Sequence, residues 1–284
     1  MNIVWLGDAP AHERLLVGGK AANLSRLAGI HRVPPGFCLT TTAFGAASAN
    51  GSIVMPPALY DEIAAAYFAL AERAGVAEPS VAVRSSAVDE DGSGASFAGQ
   101  HDTYLNITGA EAIAQAVARC WESAGAARAL AYRDQQGLAR DAVRLAVLVQ
   151  QLVAADVAAV LFSANPVTGS RDEVLINAAW GLGESIVGGT VTPDTYVVRK
   201  SDLQVIDRQI GDKRRMTVSI SGGTQEVDVP RVLRLRPALS DDQAAEMARL
   251  ALALEAAMGW AVDVECAYAM GHLYLLQCRP ITTL

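Results

Sequence analysis

The chain has 284 residues, 51% of them apolar, and a formal net charge of −7. That length supplies a sizeable core and, at roughly 150 residues per domain, two lobes. No apolar run approaches the roughly 18 residues that span a bilayer, and the acidic balance argues against nucleic acid as main partner, since that partner demands a basic face.

The opening Met1-Asn-Ile-Val-Trp-Leu-Gly-Asp8 has no basic leader and reads as a strand near 3–6. A helix near 19–28 follows, then Val33-Pro-Pro-Gly36 turns into an extended Phe37–Leu39. Leu59, Ile63, Tyr67 and Leu70 form one stripe of a helix near 57–74. Val81–Ser85 alternates as a strand, and Tyr104–Ile107 is another. A long helix is expected from about 110 to 133, burying Ile113, Val117, Cys120, Trp121 and Ala124. From 144 the texture changes to apolar strands near 145–153, 158–162, 173–179 and 195–198, which puts the lobe boundary near 150, giving lobes 1–150 and 151–284. Ser240-Asp-Asp-Gln243 is a capping box that starts a helix carrying Met247, Leu250, Leu254 and Met258. Strands over Trp260–Tyr268 and Leu273–Pro280 close the chain around Gly271. Strands with intervening helices indicate α/β or α+β, not a bundle.

Cys38, Cys120, Cys266 and Cys278 are scattered, with no CxxC pair and no histidine at metal spacing. They read as small buried hydrophobes of a reducing, cytoplasmic protein.

The strand at 81–87 delivers Arg84, Ser85 and Ser86 to Asp91-Gly-Ser-Gly-Ala-Ser-Phe-Ala-Gly-Gln100. A fixed cation, small donors and a backbone open to close approach are what hold a polyphosphate. Lys20 follows Gly18-Gly19 at a helix start, where N–H groups and the helix dipole already favour an anion. It is not a Walker A lysine, because Arg14 and Ala21 occupy positions that motif reserves for Gly and Ser/Thr. Gly181-Leu-Gly183-Glu184 is a tight turn with an acid, or simply a helix cap. Gln150-Gln151-Leu152-Val153 is either a linker whose backbone faces a base or a strand end. His101 and His272 read as loop residues without chemistry.

The closing hairpin permits a register calculation. With a three-residue loop Met270–His272, Ala269 opposes Leu273, Glu265 opposes Gln277, and Asp263 opposes Arg279. All four then share one face, with cross-strand neighbours about 5 Å apart. An acid and an amide at that spacing suit Mg²⁺, a hard cation that prefers oxygen and binds with phosphates. Arg279 would contact a phosphate beside it. The same pattern also describes a solvated face with one cross-strand ion pair.

Taken together, the segments resemble the N-terminal ATP-binding region of the pyruvate phosphate dikinase, phosphoenolpyruvate synthase and rifampicin phosphotransferase family. The matching stretches are Leu16-Val-Gly-Gly-Lys-Ala-Ala-Asn-Leu24, Val33-Pro-Pro-Gly-Phe37, Val83-Arg-Ser-Ser-Ala87 and Ser96-Phe-Ala-Gly-Gln100. They continue through Val149-Gln150, Phe162-Ser163, Gly181-Leu-Gly-Glu184, Pro193-Asp194 and Leu276-Gln-Cys-Arg-Pro-Ile281. The resemblance implies an ATP-grasp-type fold of two lobes closing on ATP and Mg²⁺. It implies that Lys20, Arg84 and Arg279 hold the phosphates and that Glu265 and Gln277 bind the metal. The backbone of Gln150, Leu152 and Val153 would meet adenine, Ser96, Gly99 and Gln100 would belong to a lid, and Glu184 would join the nucleotide contacts.

Full-length relatives continue into a domain with a catalytic histidine and a domain for the final acceptor. None of His12, His31, His101 and His272 stands in the family's Thr-Ser-His setting. The resemblance therefore implies phosphoryl transfer from ATP to a histidine on another domain or polypeptide, with AMP and phosphate released and a small molecule as final acceptor. Two other readings stay open on the residues: a freestanding ATP-grasp kinase or ligase, and an ATP-sensing module without turnover.

Overall fold

The computed structural model describes residues 1–49, 52–89, 103–126 and 144–282. The chain forms two compact units, Met1–Leu152 with Ser221–Gly223, and Val153–Ile220 with Thr224–Leu284.

The first unit is built on an antiparallel sheet. Its strands are β1 (Ile3–Trp5), β2 (Gly36–Leu39), β5 (Val81–Ala87), β6 (Thr103–Ile107) and β7 (Leu145–Gln151), in the order β1-β2-β7-β5-β6. A small hairpin, β3 (Ser48–Ala49) and β4 (Ser52–Ile53), stands outside that sheet. Side chains alternate across a strand, so Phe37, Leu39, Val81, Val83, Val147 and Val149 share one face. They are buried with α2 (Thr41–Ala47), α3 (Pro57–Ala74) and α4 (Ala110–Ser123). Helix α3 has proline at its first position and ends at Gly75 in the left-handed region (φ 66). The expected stripe Leu59, Ile63, Tyr67 and Leu70 is its buried side.

In α4 the expected residues Ile113, Val117, Cys120 and Trp121 are buried, but the helix stops at Ser123. Ala124 and Gly125 form a turn in which both amides bond back to the last helical carbonyls. This is shorter than the expected 110–133 helix, whose last part lies outside the described residues.

Helix α1 (Arg14–Leu27) covers the other face, where the Cys38 thiol reaches the Val17 carbonyl at 3.7 Å. All four cysteines are buried. Burial pushes the Cys38 and Cys266 thiols well above their ordinary range, which leaves them as protonated, unreactive core groups.

The second unit has a six-stranded antiparallel sheet in the order β11-β10-β9-β8-β14-β15. The strands are β8 (Val157–Phe162), β9 (Glu173–Trp180), β10 (Asp194–Arg199), β11 (Val205–Gln209), β14 (Val262–Ala269) and β15 (His272–Pro280). A separate ribbon pairs β12 (Arg215–Ile220) with β13 (Gly223–Asp228). Short helices α5 (Glu184–Val187) and α6 (Arg231–Arg234) precede the long α7 (Asp241–Met258). The capping box forms at the start of α7: Gln243 N–H donates to Ser240 Oγ while the Gln243 side chain accepts from the Ser240 amide. Met247 and Leu254 are buried, whereas Leu250 and Met258 are half-buried; alanines 244, 248 and 251 fill the rest of the contact. Helix α7 lies on the face carrying Ile176, Tyr196, Val264 and Tyr268, where Tyr268 donates to the Gln243 carbonyl at 3.4 Å.

Among the described residues no helix is long and apolar enough to cross a membrane.

An ion pair that the sequence does not announce organises this unit. Asp194 and Lys213 are both fully buried and bonded to each other. The Asp194 carboxylate also accepts from the amides of Gly211 at 3.0 Å and Ala238 at 2.7 Å. One carboxylate thus ties the segments around 211 and 238 to strand β10. Removing one partner from a buried pair strands the other charge, typically at about 3–5 kcal/mol. Lys213→Met is therefore expected to lower the stability of this unit by about 3 kcal/mol or more in urea unfolding. A loss under about 1 kcal/mol would contradict the assignment.

Candidate functional site

In the first unit Lys20 owes its position to a break in α1. Gly18 has φ 75 and ψ 172, so the helix kinks there and restarts toward Lys20. A Cβ on Gly18 would lie 2.0 Å from the Ser86 carbonyl oxygen, so only glycine allows α1 to meet strand β5 this closely. The restarted helix is capped from outside: the Ala21 amide donates to Ser86 Oγ at 3.2 Å. The Lys20 ammonium donates to the Ser85 carbonyl at 3.3 Å. Arg84 precedes these serines on β5 and is partly exposed, on the sheet face that α1 covers.

Sequence reasoning missed a third cation, Arg14, whose Nε donates to the Val88 carbonyl at 2.8 Å just beyond β5. Nothing in spacing marks Arg14, because its role comes from the fold of α1 onto β5. A correction concerns the hydroxyls. Ser85 and Ser86 are buried, 1% and 0% exposed, and Ser86 serves the helix cap instead of a loop. Residues Ser96, Gly99, Gln100 and His101 lie outside the described residues.

The expected adenine-facing segment is the end of a central strand. Gln150 pairs across β2 with Gly36 and across β5 with Ala82, and its side chain donates to the Pro34 carbonyl at 3.2 Å. The Leu152 amide donates to the Ser80 carbonyl at 2.8 Å. That amide is satisfied inside the unit, so a base read here would use other backbone atoms. Val153 belongs to the second unit and packs with Ala267 and Ala269.

In the second unit the hairpin has the expected pairing by an unexpected route. The turn contains two residues and not three: Ala269 pairs with His272, and Met270 and Gly271 have φ 49 and 75, the double positive φ of a type I′ turn. His272 is accordingly the first residue of β15 and not a loop residue. Continued unbroken, that register would set Glu265 against Leu276. A bulge between Glu265 and Cys266 leaves Leu276 as the extra residue, and beyond it Glu265 opposes Gln277 and Asp263 opposes Arg279. The four side chains therefore share the sheet face opposite α7.

Two adjacent rows cross this face. One runs Thr195, Asn177, Val160, Glu265, Gln277, and the next runs Val197, Leu175, Phe162, Asp263, Arg279. Asp263 and Arg279 form a cross-strand ion pair, Nε to Oδ2 at 2.8 Å, so the arginine's aim is set by a buried acid. Gln277 is only 5% exposed, while Glu265 is partly exposed beside it. A carboxylate and an amide oxygen at neighbouring positions suit a hard divalent cation. Among the described residues no group of three or more His, Cys, Asp or Glu could hold a metal, so a cation here would complete its shell with phosphate and water oxygens.

The turn after β9 closes one end of the face. Gly181 has φ 78, and a Cβ there would lie 2.4 Å from the Thr217 carbonyl oxygen. Gly183 packs over Ala158, on the strand face shared with Val160. Glu184 then starts α5 and accepts from Thr224 Oγ1 at 2.9 Å, a fixed acid at a helix start.

The family described as "Pyruvate phosphate dikinase, AMP/ATP-binding domain" matches residues 46–284. A probable phosphoenolpyruvate synthase of Methanocaldococcus jannaschii is 41% identical, covering 99% of this chain and 27% of that protein. A phosphoenolpyruvate synthase of Pyrococcus furiosus is 36% identical over 99% of this chain and 44% of its own length. A rifampicin phosphotransferase of a Streptomyces species is 38% identical over 99% of this chain and 36% of its own. The chain thus spans between 27% and 44% of the length of these curated relatives. The solved structure of D-alanyl-alanine synthetase A from Vibrio cholerae aligns with 98% of this chain and 58% of that one, at 13% identity and a TM-score of 0.38, too distant to bear on the fold.

Gly18→Ala tests the cradle that positions Lys20. The clash with Ser86 and the positive φ together are expected to cost about 3 kcal/mol or more of the first unit's stability in urea unfolding. A cost below about 1 kcal/mol would show that the kink is not needed.

Proposed function

Because the chain belongs to the AMP/ATP-binding domain family of pyruvate phosphate dikinase, we propose that it is the ATP-binding component of a dikinase-type phosphotransferase. It folds as an ATP-grasp-type pair of lobes, and ATP is bound by the cations of the first unit and the acid–amide row of the second. The single observation that carries this reading is the Glu265–Gln277 pairing with Asp263–Arg279 beside it on one sheet face.

Mg²⁺ bound there would neutralise charge on the phosphate oxygens, held by Glu265 and Gln277. Arg279, aimed by Asp263, holds a phosphate next to it. Lys20 and Arg84 hold phosphates from the first unit, and Ser96, Gly99 and Gln100 cover them. Catalysis of this kind is mostly positioning and charge neutralisation. Glu184 contacts the nucleotide from the end of α5. Segment 150–153 lies beside adenine and reads it through atoms other than the Leu152 amide.

The phosphoryl group passes to a histidine on a separate domain or polypeptide; one water is consumed, and AMP and inorganic phosphate leave. A small molecule is the final acceptor. Four scattered, buried cysteines with no CxxC pair support a reducing, cytoplasmic setting.

AMP should form only when ATP is mixed with both this chain and a histidine-bearing partner domain; ADP from this chain alone would overturn the reading. Arg84→Ala should lower that turnover about 10²- to 10³-fold while leaving the urea midpoint near wild type, and an unchanged rate would remove Arg84 from the site. Glu265→Gln should shift the Mg²⁺ titration of turnover about tenfold upward. An unshifted titration would remove Glu265 from the metal.

A further inference from the structure

The row that carries Glu265 and Gln277 continues past Val160 to a polar pair that the proposed function does not use. Asn177 opposes Val160 on one side and Thr195 on the other. Register alone puts the Asn177 amide on the same face as the Glu265 carboxylate, two strands and so about 10 Å away. Asn177, Val160 and Thr195 are all partly exposed, while Ile176 and Ala178 on the opposite face are fully buried.

Thr195 Oγ1 donates to Asn177 Oδ1 at 3.0 Å. A side-chain amide has one acceptor end and one donor end. With its oxygen engaged by the threonine, Asn177 presents its two N–H groups, and these make no hydrogen bond among the described residues. A polar strand residue oriented by a neighbouring hydroxyl and offering only donors suits an oxyanion. The Gly181–Glu184 turn, reached from the end of the same strand β9, bounds the face on this side.

We propose that Asn177, oriented by Thr195, is a further binding residue that donates a hydrogen bond to a phosphate oxygen of the bound nucleotide. This rests on the reading that ATP lies over this face. It extends the site from the β14–β15 edge to the centre of the sheet, and it makes Thr195 a positioning residue, because reversing the amide would turn an acceptor toward the phosphates.

The test uses Mg·ATP calorimetry on the 284-residue chain. Asn177→Asp keeps an oxygen for Thr195 and keeps the shape, but replaces the donors with a negative charge. It is expected to weaken ATP binding more than tenfold, and Asn177→Ala about tenfold. Thr195→Val is expected to weaken binding less than either. A role confined to holding β9 to β10 predicts the reverse order, with Asp harmless and Val harmful, and that order would overturn the proposal. Glu265→Gln is measured alongside. If it weakens Mg·ATP binding while Asn177→Asp does not, the Asn177 assignment fails and the nucleotide site stands. If neither substitution matters, the site itself is misplaced.

Discussion

Two departures from a regular hairpin set the register between β14 and β15, and the candidate site depends on their sum. The I′ turn at Met270-Gly271 shortens the loop by one residue, and the bulge at Leu276 restores it. Either change alone would swing Gln277 to the face under α7, because a one-residue slip reverses every side chain. The pair of irregularities therefore keeps an acid, an amide and an ion-paired arginine together on one surface. Leu276 has its own packing reason to stand out of register, since it lies against Val153, Ala267 and Ala269.

The first unit achieves its part through backbone approach. A missing side chain at Gly18 lets the restarted α1 reach β5 and exchange hydrogen bonds with Ser85 and Ser86. Arg14, Lys20 and Arg84 are thereby gathered along one strand end, although they are spread over 70 positions of sequence. The second unit needs a different kind of anchor. The buried Asp194–Lys213 pair fastens the segments around 211 and 238 to strand β10 beside the buried Val229, Ala238 and Leu239.

Most of the architecture was legible because it follows from periodicity and capping. The α3 stripe, the alternation of β5, the Ser240 capping box and the apolar strands β8 and β9 each carry a local signal. Strands β11 and β13 carried little, since their polar residues resemble loop, and the short alternation of β12 (Met216, Val218, Ile220) went unread. The end of α4 was misjudged because apolar alanines run on past the turn at Ala124-Gly125. Within the candidate site, the Glu265–Gln277 pairing was predicted with the wrong loop, and a bulge with no sequence signature supplied the missing residue. Lys213, Arg14 and the orientation of Asn177 were illegible for a common reason: each depends on a contact made across the fold.

The central claim is that Lys20 and Arg84 from one unit and Glu265, Gln277 and Arg279 from the other serve a single nucleotide. A double-mutant cycle on Mg·ATP affinity between Lys20→Ala and Gln277→Ala measures that directly. Residues that act on one ligand are coupled by about 0.5–3 kcal/mol, and unrelated sites add within about 0.5 kcal/mol. The account predicts one binding event per chain, weakened by each substitution and coupled between them. Additive losses, or an affinity that responds to only one of the two residues, would contradict it.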